Sequence, residues 1–363
     1  MAVVDLDAVR HNVRLLRPER AELMAVVKAD GYGHGAVPVA RAALEAGASW
    51  LGVALVEEAV ALREAGIRAP VLLLSECSPG AEREAVEAGL TPTLYTAEGL
   101  RRLGAAARAA GRPVAVHVKL DTGMHRVGLP PEEAVAFCAR VKEAGLELEG
   151  LWTHFALADE PEDPFTAEQL KRFLEAADRV ASALGRPRYL HAANSAAVLA
   201  HPEAHLDLVR VGIAMYGLPP GPALAGRADL RPAMSLRTRV AMVKRVAAGE
   251  GISYGLRYRL ARESTIATLP VGYADGYSRL LSSRGQVLIR GRRYPVAGTV
   301  CMDQVMVDCG DDPVEPGDEA VLFGRQGEEQ VTADEVAGWM GTISYEVLCG
   351  VSARVPRRYL GER

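Results

Sequence analysis

Cysteine is scarce in this chain of 363 residues, and the spacing of the few cysteines excludes several classes of protein. There are five, an odd number, and no two of them form a Cys-x-x-Cys pair. A reducing compartment is therefore expected, and neither a disulfide framework nor a zinc knuckle is. The eight histidines show no His-Glu-x-x-His spacing, so the sequence also predicts no metal site.

Long apolar runs and a strong net charge are missing as well. No stretch approaches the ~18 to 20 apolar residues that a membrane-spanning helix needs. The N-terminus lacks the charged region and apolar core of a signal peptide, although its abrupt start suggests that a few residues are missing before Met1. The net charge is -4 and no basic stripe is present, so nucleic acid is not an expected partner. We therefore predict a cytoplasmic protein that binds neither nucleic acid nor membranes.

The first two thirds of the chain alternate between apolar runs and amphipathic helical segments. Several of these segments end at glycine, as helices often do before a following strand. Eight such repeats over about 220 residues predict a (β/α)8 barrel. A doubly wound open sheet is the alternative, but no Gly-x-Gly-x-x-Gly turn follows the first strand. The predicted strands are Leu23–Lys28, Trp50–Val56, Val71–Ser75, Thr91–Tyr95, Val114–Leu120, Glu149–His154, Tyr189–Ala192 and Leu206–Val211.

Near Pro219–Pro222 this alternation gives way to short β-type runs separated by turn residues. The sequence therefore predicts an α/β protein of two domains. Residues 1–224 would form a TIM-like (β/α)8 barrel, and residues 225–363 would form a mainly β domain. The predicted runs of the second domain are Ser235–Val246, Ser264–Pro270, Gln286–Arg290, Tyr294–Ala297, Val305–Cys309 and Glu319–Phe323, with one helix at Thr332–Met340.

Lysine is also rare, and this makes Lys28 conspicuous. The chain has five lysines, and arginine supplies nearly all of its remaining positive charge. An amine, unlike a guanidinium, loses its proton when desolvated and attacks a carbonyl carbon to form a Schiff base. By position alone, the favoured interpretation of Lys28 is a lysine at a strand end whose charge reaches solvent.

Polar side chains gather at the predicted carboxyl ends of the barrel strands, the face on which barrel enzymes carry their chemistry. Each of them alone is consistent with a structural role in the core or rim of the barrel, with its hydrogen bonds made by neighbouring residues. Together on one face they form a candidate site. They are Lys28, Lys119, Asp121, Arg126, His154, Asn194, Ser195, Arg210 and Gly212.

Short motifs along the whole chain resemble those of the alanine racemases and occur in the same order. Each is weakly specific alone, but the ordered set is highly specific. The resemblance implies pyridoxal 5'-phosphate as cofactor, alanine as substrate, and a homodimer with shared active sites that supplies D-alanine for peptidoglycan. The motifs are Val26–Gly35, Lys119–Gly128, Trp152–Ala156, His191–Ser195, Arg210–Gly217, Ser253–Gly255, Val271–Tyr277, Cys301–Asp303 and Ser344–Glu346.

The resemblance implies a reaction with two bases. Lys28 would hold the cofactor as a Schiff base and act on one face of the α-carbon, while Tyr254 of the partner subunit would act on the other. Arg210 would lie against the pyridine nitrogen. Because arginine can only donate hydrogen bonds, it would leave that nitrogen unprotonated and weaken the electron sink, which limits side reactions.

The resemblance also implies roles for the surrounding residues. Arg126 and the amide of Met302 from the partner subunit would bind the substrate carboxylate. Lys119 resembles a position that is often carbamylated and would then orient Arg126. The implied cofactor-binding set is Lys28, Tyr32, His154, Ser195, Arg210, Gly212, Ile213 and Tyr345, and the supporting and access residues are Lys119, His191, Tyr273, Cys301 and Asp303.

Two positions depart from the family pattern, and other functions on this fold stay open. His125 and Thr299 stand where glycine and arginine are common. A broad-specificity or serine racemase would share most of these motifs. A decarboxylase of the same fold would need a carboxylate facing the pyridine nitrogen, where Arg210 stands. A non-catalytic pyridoxal-phosphate carrier would be a single barrel, without the second domain that contains Tyr254.

Overall fold

The computed structural model describes residues 1–362, which divide into two units. The barrel unit contains Asp7–Gly31 and Ala36–Arg231. The β unit contains Met1–Leu6, Tyr32–Gly35 and the chain from Pro232 onward. None of the helices in this part of the chain has both the length and the apolar character needed to cross a bilayer.

Eight parallel strands form the barrel unit's sheet, in two runs of four. A parallel bridge between Leu72 and Thr91 joins the two runs at one side. At the other side, the amide of Arg210 donates to the carbonyl of Ala193 at 3.0 Å. The predicted fold class is confirmed. In order around the barrel, the strands are Leu208–Val211, Glu22–Val26, Trp50–Val53, Val71–Leu73, Thr93–Leu94, Ala115–Lys119, Glu147–Trp152 and Tyr189–His191.

Helices connect these strands, and their ends follow the local sequence. Ala97–Ala110 begins after Thr96, whose hydroxyl accepts from the Gly99 amide, and it ends at Gly111 with a φ of 65°. Such caps satisfy the unpaired amides and carbonyls of the helix ends. The other helices are Leu6–Leu16, Lys28–Tyr32, Ala36–Glu45, Val56–Glu64, Glu82–Glu87, Ala134–Glu143, Phe165–Leu184 and Ser195–Ala200.

Seven of the eight barrel strands are shorter than predicted, while Glu147–Trp152 has the predicted length but starts two residues earlier. The first strand shows why strands end early. The predicted strand Leu23–Lys28 ends at Val26, and Lys28 begins a turn in which φ is 51° at Ala29 and 50° at Asp30. These left-handed angles are incompatible with an extended strand. Apolar content alone does not mark this limit, because Val27 is as buried as the strand before it.

The β unit contains three sheets and two short helices, Ala333–Met340 and Ser344–Cys349. A three-stranded sheet contains Met242–Val246, Ser264–Leu269 and Val305–Asp308, and a hairpin pairs Gly251–Ile252 with Tyr258–Arg259. The largest sheet has seven strands and takes in both the first and the last strand of the chain. In order, they are Arg292–Pro295, Gln286–Ile289, Glu319–Gln326, Met234–Arg239, Ala2–Asp5 and Arg357–Leu360, with Glu329–Val331 paired to Glu319–Gln326.

The predicted single strand Ser235–Val246 is wrong, because the chain changes sheets in the middle of this run. The amide of Val240 donates to the carbonyl of Asp318, which adjoins the seven-stranded sheet. The next amide, that of Ala241, donates to Thr268 in the three-stranded sheet. Two strands, Met234–Arg239 and Met242–Val246, therefore replace one. The sequence contains no glycine or proline at this point to mark the change.

Candidate active site

Lys28 follows the first barrel strand in a turn whose backbone is strained. Left-handed φ angles cost roughly 1–2 kcal/mol for each residue other than glycine, so the turn needs outside support. The carboxylate of Glu58 accepts from the Ala29 amide at 2.6 Å, and the carboxylate of Asp30 accepts from the Ala36 amide at 2.8 Å. These bonds fix the backbone from which the Lys28 side chain extends.

Lys119 ends the Ala115–Lys119 strand and is buried. Its Nζ donates to the carbonyl of Val127 at 2.5 Å and lies 5.1 Å from the centre of the Trp152 ring. Burial, joined by the positive charges of Arg126 and Arg210, lowers the pKa of Lys119 from 10.5 to about 8. A substantial fraction of this amine is therefore neutral near physiological pH.

The loop after Lys119 carries Arg126 and is organised by Asp121. One carboxylate oxygen of Asp121 accepts from the amides of Gly123, Met124 and His125, at 3.0 to 3.1 Å. His125, one of the two departures from the family pattern, has a φ of 55° and an exposed side chain. Arg126 is exposed and is the next residue along this loop.

Arg210 is buried at the end of the last barrel strand and is surrounded by acceptors. It donates to the carbonyls of Thr153 and Ala192, at 2.8 and 2.9 Å. It also donates to Nδ1 of His191 at 2.9 Å and to Nδ1 of His154 at 3.2 Å. No carboxylate within residues 1–362 makes an ion pair with it, and burial lowers its pKa to about 9. Arg210 therefore remains largely protonated near pH 7.

His154 is surrounded by the positive charges of this region. Burial is the largest cause that lowers its pKa well below the usual value, followed by the charges of Arg210, Arg126, Lys119 and Lys28. His154 is therefore a neutral imidazole near pH 7. The four cations lie close enough to influence one ring, which makes this face of the barrel strongly positive.

The contact between Arg210 and His191 sets the tautomers of two buried histidines. Arginine only donates, so Nδ1 of His191 accepts, and its proton lies on Nε2. Nε2 of His191 lies 2.8 Å from Nδ1 of His117, which must therefore accept as well. The proton of His117 then lies on Nε2, 3.5 Å from a carboxylate oxygen of Glu149. Burial lowers the pKa of both histidines, so both rings are neutral.

Ser195 and Gly212 are brought together by the last two barrel strands. The Ser195 hydroxyl accepts from the amide of Gly212 at 2.8 Å and from that of Ala214 at 3.4 Å. Asn194 caps the helix that begins at Ser195 by accepting from the Ala197 amide at 3.0 Å. Ile213 is buried and begins a short 3-10 helix. A hydroxyl and several backbone amides are therefore concentrated at this point.

The remaining predicted site residues lie in the β unit, mostly on its loops. Tyr32 is buried, with its ring centre 6.2 Å from that of the half-buried Tyr345. Burial, helped by the neighbouring Tyr345 and Cys349, raises the pKa of the Tyr32 phenol. Tyr254 is 73% exposed and Met302 is 53% exposed.

Tyr273, Cys301, Met302 and Asp303 lie on two loops that contact each other. The amide of Tyr273 donates to the carbonyl of Cys301 at 3.0 Å. The guanidinium of Arg354 spans the same loops: it donates to Asp275 at 2.7 Å and to Asp303 at 2.6 Å. Arg354 therefore connects two segments that the sequence predicts as part of the substrate access path.

The barrel residues fit an anionic pyridine cofactor. Lys28, Lys119, Arg126 and Arg210 form a concentration of positive charge that would be costly without an anion to compensate it. The amine of Lys28 would hold an aldehyde. Arg210, a buried donor without a carboxylate partner in the described chain, would bind a ring nitrogen. The Ser195 hydroxyl and the amides near it would bind a phosphate. Sequence reasoning identified these residues, but it missed Glu58, His117 and Glu149.

Of the missed residues, only His117 has a signal in the sequence. It lies two positions before Lys119 on a strand, so both side chains are on the same face. Nothing in the local sequence indicates that Glu58 accepts a hydrogen bond from the Lys28 turn or that Glu149 lies beside His117.

Comparison with known proteins agrees with this geometry. The family model for the N-terminal domain of alanine racemase matches residues 4–220, and the model for its C-terminal domain matches residues 233–359. The alanine racemase of Symbiobacterium thermophilum is 55% identical over 365 residues, which cover 99% of this chain and 97% of the relative. That of Desulfovibrio desulfuricans is 50% identical, with the same coverage of both chains.

Solved structures show the same relationship. An alanine racemase from Streptomyces coelicolor A3(2) superposes with a TM-score of 0.95 and is 47% identical, covering 99% of this chain and 98% of that one. An alanine racemase from a Streptomyces lavendulae that produces D-cycloserine has a TM-score of 0.94 and is 46% identical, covering 99% and 96%. On both its sequence and its fold, this chain belongs to the alanine racemase family, whose members depend on pyridoxal phosphate.

Proposed function

We propose that this protein interconverts L-alanine and D-alanine with pyridoxal 5'-phosphate as cofactor. The observation that carries the proposal is Arg210, a buried guanidinium without a carboxylate partner in the described chain, at the centre of a cluster of cations. The bound cofactor supplies an electron sink for the negative charge that develops at the α-carbon. An arginine beside the ring nitrogen would weaken the cofactor as an electron sink. A weak electron sink favours return of the proton to the α-carbon over transamination or decarboxylation.

Lys28 would hold the cofactor covalently and move the α-proton on one face of the substrate. Both tasks need an amine that gains and loses a proton, which a lysine supplies and an arginine does not. The strained turn held by Glu58 and Asp30 supplies a fixed backbone for this motion.

Tyr254 of a second copy would move the proton on the opposite face. The β unit leaves four large apolar side chains more than half exposed, namely those of Tyr254, Leu256, Met302 and Ile343. Contact with a second copy would cover them. We therefore propose a homodimer in which residues 1–224 of one copy bind the cofactor and residues 225–363 of the other complete the site.

The remaining groups would bind the anionic parts of the cofactor and substrate. We assign the cofactor phosphate to Ser195 and to the amides of Gly212 and Ile213, together with the hydroxyls of Tyr32 and Tyr345. His154 would pack on the cofactor ring, with His191 supporting Arg210. Arg126 and the Met302 amide of the second copy would bind the substrate carboxylate, and the access path to the site would be lined by Tyr273, Cys301 and Asp303.

We also propose that Lys119 is carbamylated. Its depressed pKa favours the neutral amine that reacts with carbon dioxide, and the nearby charges of Arg126 and Arg210 would stabilise the resulting anion. Intact mass spectrometry under mild conditions should show one added carbon dioxide, which Lys119→Met removes. A mass that corresponds to the bare amine would contradict this assignment.

In the cell, we place this reaction in the cytoplasm, where it would supply D-alanine for peptidoglycan. The proposal rests on the family to which the chain belongs. Fractionation of the source cells, followed by immunodetection of the protein, would test the compartment. Recovery mainly in an exported or membrane fraction would contradict it.

The deciding experiment is formation of D-alanine from L-alanine by the purified protein, beside Tyr254→Phe. We expect wild type to racemise, and Tyr254→Phe to keep the visible absorbance of the bound cofactor but lose racemisation by about 10²-fold or more. Tyr258→Phe is the matched control, because its hydroxyl donates to Asp308 within the β unit. Cofactor binding without D-alanine formation would overturn the proposal, and faster turnover of L-serine would favour a broad-specificity racemase.

A further inference from the structure

The turn that carries Tyr254 has a backbone that few sequences adopt without support. Ser253 has φ 64° and ψ -174°, Gly255 has φ 75°, and Leu256 has φ 46°. The region occupied by Ser253 is essentially restricted to glycine, so a serine there is strained. Such a conformation persists only where the surroundings impose it, and the cause should therefore be visible nearby.

Two reciprocal hydrogen bonds to Thr299 provide this support. The Thr299 hydroxyl donates to the carbonyl of Tyr254 at 2.9 Å, across a separation of 45 residues. The Ser253 hydroxyl donates to the carbonyl of Thr299 at 2.7 Å, across 46 residues. We call this pair of bonds the Thr299 clasp. Thr299 is only 8% exposed, so its hydroxyl is largely shielded from competing water.

The backbone beside Thr299 approaches the same turn closely. A Cβ placed at Gly298, whose φ is 82°, would lie 2.5 Å from the carbonyl oxygen of Ile252 and 2.9 Å from Cβ of Ser253. A side chain at residue 298 would therefore push the two segments apart. Close approach at Gly298 and two hydrogen bonds at Thr299 together hold the turn in place.

Tyr254 itself gains little restraint from packing within the β unit, because 73% of its surface is exposed. The direction of its side chain therefore depends strongly on the backbone that carries it. A displacement of about 1 Å at a reacting group can cost 10²-fold in rate. The clasp acts on that backbone at the Tyr254 carbonyl.

We infer that Thr299 is a positioning residue for Tyr254, acting through the clasp on the turn that presents the phenol. The inference rests on the proposed racemase function. Arginine is common at this position in the family that the chain resembles, whereas the clasp uses a threonine hydroxyl.

The test compares Thr299→Val, which is close in shape but lacks the hydroxyl, with Thr299→Ser, which keeps it. Racemisation is followed in deuterium oxide together with exchange of the α-hydrogen in each enantiomer. In that exchange, Lys28 removes the α-proton and returns a deuteron from solvent to the same face, so no inversion occurs. Thr238→Val, at a half-buried threonine elsewhere in the β unit, is the control.

We expect Thr299→Val to lose about 10- to 100-fold in racemisation while one enantiomer still exchanges its α-hydrogen near the wild-type rate. Thr299→Ser and the control should racemise within about threefold of wild type. Wild-type racemisation by Thr299→Val would overturn the inference, as would an equal loss of exchange in both enantiomers. If wild type itself neither racemises nor exchanges, the proposed function fails instead.

A second measurement needs neither cofactor nor substrate. In the cofactor-free protein, loss of one hydrogen bond should make the turn open more often, and the backbone amides of residues 253–257 should exchange with deuterium about fivefold faster in Thr299→Val than in wild type. An unchanged exchange rate at these amides would contradict the clasp. If Thr299→Val does not fold, Thr299→Ala replaces it, because it also lacks the hydroxyl and adds no bulk. We expect the same loss of racemisation and the same faster opening of the turn.

Discussion

In the barrel unit, Arg210, His191 and Lys119 are each at least 97% buried, and each is held by hydrogen bonds or ring contacts to neighbouring strands. In the β unit, Tyr254 and Met302 are more than half exposed and lie on loops. The first group is fixed by the same packing that closes the barrel. The second group is fixed mainly by hydrogen bonds between its loops, such as the one from the Thr299 hydroxyl to the Tyr254 carbonyl.

This difference separates stability from activity. A change to the buried group removes partners of other buried polar atoms, so it should destabilise the fold as well as the site. A change to the exposed group leaves few buried atoms without partners, so it should lower the reaction rate and leave the stability of the fold nearly unchanged. The predictions below test this separation.

The largest expected effect is at Arg210. Replacement by methionine leaves acceptors at Thr153, Ala192 and His191 without their donor, and we expect the free energy of unfolding to fall by about 3 kcal/mol or more. Tyr254→Phe should change it by less than about 0.5 kcal/mol. Denaturant unfolding of the cofactor-free proteins would measure both, with the exposed Arg83→Met as control. Similar losses of unfolding free energy in the Arg210 and Tyr254 variants would contradict the separation of stability from activity.

The buried histidines should show the next largest effect. Replacing His117 with phenylalanine removes the acceptor for His191, and we expect a loss of about 2 kcal/mol in unfolding free energy. Nitrogen-15 spectra of the cofactor-free wild type should show both rings neutral and protonated at Nε2 near pH 7. His205→Phe, at a half-buried ring, is the control. A proton on Nδ1 of His191 would show that Arg210 does not set the tautomer.

Lys119 should make stability depend on pH. Its pKa is 10.5 when unfolded and about 8 when folded. Between these values the unfolded chain binds more protons, so stability should rise with pH, by about 1–2 kcal/mol from about pH 8 to about pH 9.5. Lys119→Met should remove this rise in unfolding experiments on the carbonate-free protein. An identical pH dependence in wild type and variant would show that the amine is not desolvated.

The smallest expected effect is at Arg354, which joins two exposed loops through Asp275 and Asp303. Exposed ion pairs contribute about 1 kcal/mol or less, so Arg354→Met should leave the unfolding free energy nearly unchanged. We expect the KM for alanine to rise about twofold, with kcat less affected and partial recovery in Arg354→Lys. A fall in kcat with unchanged KM would place the effect on the reaction rather than on the access path.

Much of the fold is predictable because its signals are local. Apolar runs and glycine-ended helices identify all eight barrel strands and their order along the chain. The errors occur where a contact between distant residues overrides the local pattern. Met234–Val246 divides at Val240 because successive amides bond to different sheets, and the first strand stops at Val26 because Glu58 and Asp30 stabilise a left-handed turn.

The candidate site divides in the same way. Lys28, Arg210 and Tyr254 are identified from short motifs, since the chemistry of each residue type and its place after a strand or in a turn are visible locally. Glu149 and Glu58 are not, because their roles depend on neighbours supplied by other strands. Thr299 is visible only as a departure from a family pattern, with no indication of what its hydroxyl contacts.

The alternation of strands and helices and the order of the motifs are readable from the sequence, because they depend on residues close together in the chain. The rarity of lysine follows from the composition. Only the tertiary structure shows which groups meet: Arg210 with His191, His191 with His117, and Thr299 with Tyr254. Residues 45 and 74 positions apart form these bonds. Folding brings such residues together through packing against many other side chains, and that information is not contained in any one segment.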